Sequence, residues 1–465
     1  MEALGLREIM ERTGELLNRV ERETFFENFE EDGAVQYFYE PFLEAFDPEL
    51  RQQLGIWYTP REVVRYMVER VDHALKEELD IPDGLADESV YVLDPCCGTG
   101  AYLVEVLSHI DRTLRESGED ALVAQDLKRA ASERVFGFEI LPAPFVVAHL
   151  QLGLLLRNLG APLIDETGER ASVYLTNALT GWEPRDNAKQ SLPLAEFEEE
   201  REAADEIKRD KPVLVVLGNP PYYPYSGVGV EEEQALVSEY RTTTSGPKPE
   251  GQGLNDLYVR FFRIAERQIV EGTERGLVCY ISNYSWLDGR SHPGMRERYI
   301  NAFDDIWIDR LNGDSRKNGK VAPDGRSDPS IFSTETNKEG IRVGTAITLL
   351  VRKEQHEETK HIAFRELWGP NKREELLESL QQPQSELYES FEPEVELGYP
   401  FAPLETSPAY LKWPLLSELF PVSYPGIKSS RDSVVVVALA SARRSCTPTR
   451  PTTSPGVERL SEKGA

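Results

Sequence analysis

The sequence predicts an α/β fold: a seven-stranded, largely parallel sheet with helices on both faces, preceded by an N-terminal helical subdomain. Three observations carry this prediction. Short β-branched apolar runs, such as residues 90–93 and 212–217, are bounded by turn formers and read as strands buried on both faces. Amphipathic stretches of helical period lie between them. Several of the runs end on an acid, an amide or a glycine, at the strand end where open α/β sheets bind ligands.

Composition bounds the function. At 465 residues the chain has room for about two to three domains. The net charge of −29, from 81 acidic and 52 basic residues, taken alone argues against a nucleic-acid partner. An acidic soluble protein with small-molecule or protein partners fits this charge. Adaptation to a high-salt, halophilic cytoplasm fits it better, because a dense carboxylate surface keeps proteins soluble there. No apolar run of about 18 residues is present, so no membrane span is expected. The charged N-terminus is unlike a signal peptide. The four cysteines, Cys96, Cys97, Cys279 and Cys446, lack metal-ligand spacing. They read as reduced thiols in a cytoplasmic protein without a metal.

In chain order, residues 1–50 carry aromatic stripes of a helical subdomain. Gly55-Ile-Trp-Tyr-Thr-Pro-Arg61 then leads into an amphipathic helix to about residue 79, with Thr59 as the expected N-cap and Pro60 in the first turn. The first strand runs into Asp94-Pro-Cys-Cys-Gly-Thr-Gly100, where Gly98 and Gly100 allow close backbone approach to a ligand. The loop is neither a dinucleotide fingerprint nor a P-loop, so a nucleoside without phosphates is the better guest. The second strand (134–140) ends near Glu139, placed to accept from two ribose hydroxyls. The third (171–179) ends near Asn177. Residues 195–210 read as a solvated charged helix. The fourth strand stops at Asn219-Pro220-Pro221-Tyr222, and a long loop follows. A helix (254–269), a fifth strand (276–283), a sixth (304–311) and a seventh (343–352) complete the sheet, the last two as a hairpin-like pair. Residues 354–430 add a short strand and a helix near 371–380. The composition changes after Asp432.

Asn219, Pro220, Pro221 and Tyr222 suit a planar exocyclic nitrogen. The Asn oxygen and a proline-fixed carbonyl can accept its two N–H groups. They localise its lone pair and stabilise the positive charge that develops during attack. A tyrosine ring stacks on the heterocycle, worth roughly 1–3 kcal/mol, against the few kcal/mol spent extruding a base.

With these motifs in this order, the chain resembles the N6-adenine DNA methyltransferases that use S-adenosylmethionine. The resemblance is densest at Gly55-Ile-Trp-Tyr-Thr-Pro60, Asp94-Pro-Cys-Cys-Gly-Thr-Gly100, Gly137-Phe-Glu139 and Asn219-Pro-Pro-Tyr222. The motif order is similar to the gamma-type arrangement. Blocks at 254–262, 281–289 and 306–314 are similar to the methylase part of type ISP restriction-modification enzymes. The resemblance implies a Rossmann-like class I methyltransferase sheet and an active centre of Asn219, Pro220, Pro221 and Tyr222. It implies a cofactor site of Tyr58, Thr59, Pro60, Asp94, Pro95, Gly98, Gly100, Glu139 and Asn177, with Thr59 toward the methionine carboxylate. Tyr222, Tyr223 and Phe332 would hold the flipped adenine. Double-stranded DNA is the implied partner, together with restriction, helicase or specificity modules in a parent polypeptide or partner chain. The expected organisation is a helical subdomain at 1–54, a methyltransferase domain at 55–355, an extension toward a largely missing target-recognition domain at 356–432, and an aberrant or disordered tail at 433–465. Such a core cut from a longer parent leaves two other readings. One is a non-catalytic, cofactor-binding remnant. The other is a methyltransferase acting on a glutamine amide of a protein.

Overall fold

Among the described residues, nine strands form one sheet. In chain order they are β1 (Tyr91–Asp94), β2 (Val135–Glu139), β3 (Val173–Leu175), β4 (Val213–Gly218), β5 (Gly276–Asn283), β6 (Asp305–Asn312), β7 (Thr345–Arg352), β8 (Ile362–Glu366) and β9 (Glu389–Phe391). The computed structural model describes Arg19 and residues 59–422, apart from 119–121, 165–167, 183–194, 223–230, 335–336, 405–406, 408 and 415. The expected N-terminal subdomain, Tyr58, Tyr223 and the tail from 433 lie outside the described residues. The chain divides into two compact units, Met1–Leu404 and Glu405–Ala465.

The sheet order is β3-β2-β1-β4-β5-β7-β6-β8-β9. β1 lies between β2 and β4, parallel to both: Val92 pairs with Val135 on one side and with Val215 on the other. β5 is parallel to β4. β7 runs antiparallel between β5 and β6, so the expected pairing of the sixth and seventh strands is present. The expectation of seven strands is corrected to nine. β8 adds parallel to β6, and β9 adds antiparallel to β8. The physical reason is the outer edge of β6, whose open N–H and C=O groups need partners. Ile362 and Phe364 supply a one-sided buried face there, alternating with less buried neighbours.

Helices cover both faces. The longer ones among the described residues are α1 (Arg61–Glu78), α2 (Ala101–Glu116), α3 (Val123–Arg129), α4 (Pro142–Asn158), α5 (Ala195–Asp210), α6 (Glu231–Ala235), α7 (Leu257–Glu266), α8 (Pro293–Ala302) and α9 (Lys372–Ser379). One core packs α1, α2, α4 and α9 on the sheet through Met67, Leu103, Leu107, Leu152 and Leu376. The other gathers Phe262 of α7, Tyr299 of α8, Tyr280 and Trp286. The Phe262 ring lies 5.2 Å from Trp286 and 5.2 Å from Tyr280. Burying each such ring stabilises the fold by about 1.5–3 kcal/mol.

Two local expectations change. Thr59 does not cap α1. Pro60 occupies the cap position with φ −55° and makes no side-chain cap bond. The Val63 and Val64 N–H groups both bond the Pro60 carbonyl, which leaves the Thr59 hydroxyl for other work. The charged helix α5 is not a wholly solvated face. Lys208 is buried beneath it and donates to the Asn177 and Thr180 carbonyls at 3.1 and 2.8 Å.

Candidate active site

The parallel arrangement of β2, β1 and β4 brings three strand ends to one edge. The β1 loop turns sharply at Cys97–Gly100, closed by the Gly100 N–H on the Cys97 carbonyl at 2.8 Å. Gly98 and Gly100 take φ of +56° and +91°, which L side chains rarely adopt. A Cβ on Gly98 would meet nothing within 4 Å, so open space lies beside this backbone. A Cβ on Gly100 would press on Ala148 of α4 at 3.2 Å.

Asp94 closes β1 and is fully buried. Its Oδ1 accepts the Cys96 N–H at 3.0 Å. Its Oδ2 is buried with no hydrogen-bond partner. Burial raises the Asp94 carboxyl to about 7, against weaker help from Cys96 and a further push from Glu139. Glu139 closes β2. Its Oε2 accepts the Gly98 N–H at 3.0 Å and its Oε1 the Leu141 N–H at 2.8 Å. Burial also raises its pKa, opposed by these backbone bonds.

These residues fit the cofactor that the resemblance implies. A buried carboxylate with one oxygen unpartnered is a receptor for an ammonium group. Glu139 accepts the Gly98 and Leu141 N–H groups, and a carboxylate can accept about four such bonds, which leaves capacity for ribose hydroxyls. Asn177 fits its expected role less directly. Its Oδ1 accepts the Leu179 N–H at 2.9 Å and its Nδ2 donates to Glu233 at 2.7 Å. Its remaining N–H is what an adenine ring could use.

β4 ends against β1. A Cβ on Gly218 would lie 2.6 Å from Asp94 Oδ1, so only glycine lets the two strand ends approach this closely. Asn219 and Pro221 are half-buried and Pro220 is buried. The Asn219 Nδ2 donates to Thr59 Oγ1 at 2.9 Å. The Tyr222 hydroxyl donates to the Ile281 carbonyl at 3.1 Å. Phe332 lies beside Tyr222, as its position suggested. However, the rings meet edge to face, 6.3 Å apart at 86°, and Phe332 is buried. The two rings therefore do not form parallel walls in this structure.

The structure thus brings Thr59, Asp94, Gly98, Glu139, Asn219 and Tyr222 together, with Asn177 at the β3 end of the same edge. Three contributors were missed. Tyr102, at the start of α2, lies beside Thr59 and donates to Met67 Sδ at 3.2 Å. Lys208 holds the Asn177 loop. Arg373 of α9 bonds the carbonyls of Ile331 and Ser333, on either side of Phe332, at 2.7 and 2.5 Å. Tyr102 and Met67 sit in apolar helical stripes that read as core. Arg373 lies far along the chain.

Comparison with known proteins bears on this arrangement. Residues 31–252 match the family model described as N-6 DNA Methylase. A type I restriction enzyme EcoEI methylase subunit from Escherichia coli is 26% identical over 208 residues, 42% of this chain and 37% of that protein. The adenine-specific methyltransferase PglX from Streptomyces coelicolor is 26% identical over 273 residues, 54% of this chain and 21% of that protein. The chain therefore matches well under half the length of either relative. Among solved structures, the ATP-dependent Type ISP restriction-modification enzyme LlaBIII bound to DNA superposes with a TM-score of 0.60 at 23% identity, over 74% of this chain and 22% of that one. A nuclease-deletion mutant of the Type ISP enzyme LlaGI with a DNA substrate mimic gives 0.64 at 20% identity, over 83% and 30%. These structures share the fold. Motifs, family model and fold agree: the chain resembles the N6-adenine DNA methylases of restriction-modification systems, and among solved folds it is similar to the methylase-bearing type ISP enzymes.

Proposed function

We propose that this chain transfers a methyl group from S-adenosylmethionine to the N6 amino group of an adenine flipped out of double-stranded DNA, as the modification part of a restriction-modification system. One observation carries the reading. The Asn219-Pro220-Pro221-Tyr222 end of β4 lies against the buried, half-satisfied Asp94 of β1, with Gly218 as the point of contact. A site for a cationic nucleoside and a site for a planar amine then share one wall.

When bound, the cofactor supplies an electrophilic methyl on a sulfonium. Every other task falls to the chain. Asp94 Oδ2 receives the ammonium of the methionine part, Glu139 receives the ribose hydroxyls, and Asn177 meets the adenine ring. Asn219 Oδ1 and the Pro220 carbonyl accept the two N–H groups of the target amine. Their partial negative charge stabilises the positive charge that develops on that nitrogen, without a carboxylate base. Tyr222 offers a stacking face, with Tyr223 and Phe332 as its helpers. Restriction, helicase or target-recognition modules are partners drawn from the same resemblance.

The test is incubation of the full chain with methyl-labelled S-adenosylmethionine and mixed-sequence duplex DNA. Label in N6-methyladenine is expected. Label in protein instead of DNA would overturn the substrate, and cofactor binding without any transfer would overturn the enzymatic reading.

A further inference from the structure

We propose that the hairpin after β6, residues 313–328, with the adjoining residues 337–342, grips the phosphate backbone of the duplex that flanks the target base. The proposal rests on the methyl-transfer reading above and names where that substrate is held. β5 is parallel to β4, and β6 is parallel to β5 because β7 runs antiparallel between them. β6 therefore ends at the edge where Asn219 stands, and its connection to β7 is built on that edge. Phe332, within this connection, reaches the Tyr222 ring. The whole chain has 81 acidic and 52 basic residues, but residues 315–342 reverse the balance, with six basic and four acidic ones. One of those acids, Asp328, is fully buried and spent on Lys372.

The hairpin is shaped by its own bonds. Asp314 Oδ1 accepts the Arg316 and Lys317 N–H groups at 2.6 and 2.9 Å, and Oδ2 accepts the Tyr284 hydroxyl at 3.0 Å. Val321 and Ser327 pair across the hairpin, and Asp328 Oδ2 closes its base on the Gly313 N–H at 2.7 Å. Ser315 bonds the Arg342 carbonyl through both its N–H and its hydroxyl, so the second segment lies alongside. Not all the cations on this frame are consumed by the fold. Arg326 and Arg342 are taken by Asp324 and Glu339 at 2.6 and 2.8 Å. Arg316 and Lys338 are exposed and have no ion-pair partner among the described residues. Lys317 is half exposed, holds Asp288 only loosely at 3.7 Å, and keeps its ammonium 4.6 Å from the centre of the Tyr284 ring. A chain of net charge −29 repels a polyanion except where the local sign is reversed. Placed at the Asn219 edge, Arg316, Lys317 and Lys338 displace counterions from phosphates and seat the duplex without reading its sequence. An acidic peptide would also suit the charge, but the surface adjoins Tyr222, where a flipped base must arrive with its backbone.

The experiment uses the full chain in wild-type form, as Arg316→Gln/Lys317→Gln, as Lys338→Gln, and as the control Arg112→Gln/Arg129→Gln. The control lowers the net charge as much as the first pair does, but its cations lie late in α2 and just before β2, toward the opposite edge of the sheet. Binding of a fluorescein-labelled mixed-sequence duplex is followed by anisotropy across a salt series. Arg316→Gln/Lys317→Gln is expected to weaken binding about tenfold to a hundredfold and to flatten the slope of log K against log salt by about two. Lys338→Gln is expected to flatten it by about one, and the control to keep the wild-type slope. Melting temperature and calorimetric cofactor affinity are expected to stay at wild-type values in all of them. In turnover, the KM for duplex should rise while kcat at saturating duplex is kept. An unchanged slope in Arg316→Gln/Lys317→Gln, an equal loss in the control, or a wild type that binds no duplex would each overturn the proposal. A wild type that prefers polyglutamate to duplex overturns nucleic acid as the partner. A wild type that binds duplex but transfers no methyl group refutes the function instead, while the salt slopes still decide the surface.

Discussion

Asp94→Asn is expected to stabilise the fold above neutral pH while removing cofactor binding. The carboxyl is fully buried, one oxygen lacks a partner, and burial raises it from 3.8 to about 7. At about 1.4 kcal/mol per pH unit, the difference corresponds to about 4 kcal/mol. Its sign follows from linkage. A carboxyl raised in the folded state contributes stability that is fully present below 3.8 and is lost as pH rises through about 7. Asparagine cannot ionise, so its advantage over wild type should grow with pH. Between pH 5 and 8 the growth is about 2.5 kcal/mol, whatever constant offset the unsatisfied amide adds. Urea denaturation of both proteins across this range measures it, with calorimetry for the cofactor. A difference in stability that does not change with pH would refute the burial argument. Undiminished cofactor binding by Asp94→Asn would refute the ammonium-receptor role.

Other outcomes follow from the same geometry. Asn219→Ala is expected to lower methyl transfer by at least about a hundredfold with cofactor binding nearly intact; equal loss of both, by calorimetry and turnover, counts against its role. Gly218→Ala places a Cβ 2.6 Å from Asp94 Oδ1 and should cost about 1–3 kcal/mol of stability together with a weaker cofactor complex, both readable by thermal shift with and without cofactor. Asp328→Asn leaves the Lys372 ammonium, 2.8 Å away and nearly inaccessible to water, without its counter-charge. A loss of about 3–5 kcal/mol in urea unfolding is expected.

Much of the site was legible because its parts are local. Asp94, Gly98, Glu139 and Asn219 each stand where a strand stops, and strand ends are visible as a break in an apolar run. Their assembly needed only the rule that ligands gather at one edge of such a sheet. What stayed hidden is non-local. Thr59 reads as a helix cap from its neighbours, yet its hydroxyl bonds Asn219, distant in sequence. Tyr102 and Met67 have the periodicity of core residues, and nothing local marks the bond that joins them. Phe332 was expected from its position after the sixth strand to help hold a base, but its edge-on pose depends on packing against Tyr222. Lys208 vanished into a run of charges because burial is a tertiary property. The two extra strands were unreadable as sheet members for a similar reason: β8 is short, and only its pairing with β6 defines it.

The clamp that Arg373 places on Ile331 and Ser333 has a practical meaning for cutting and splicing this protein. The residue stands beyond 355, where the methyltransferase domain was expected to end, yet it holds the segment that carries Phe332 beside Tyr222. α9, which carries it, also packs on α1, and α1 begins beside the threonine that meets Asn219. A chimera joined at 355 would strip β6 of its outer neighbour, expose a sticky edge and release the segment that holds Phe332 against Tyr222. A junction after Leu404 preserves all three. Joining a foreign domain is therefore expected to give soluble chains at the later seam and insoluble ones at the earlier one.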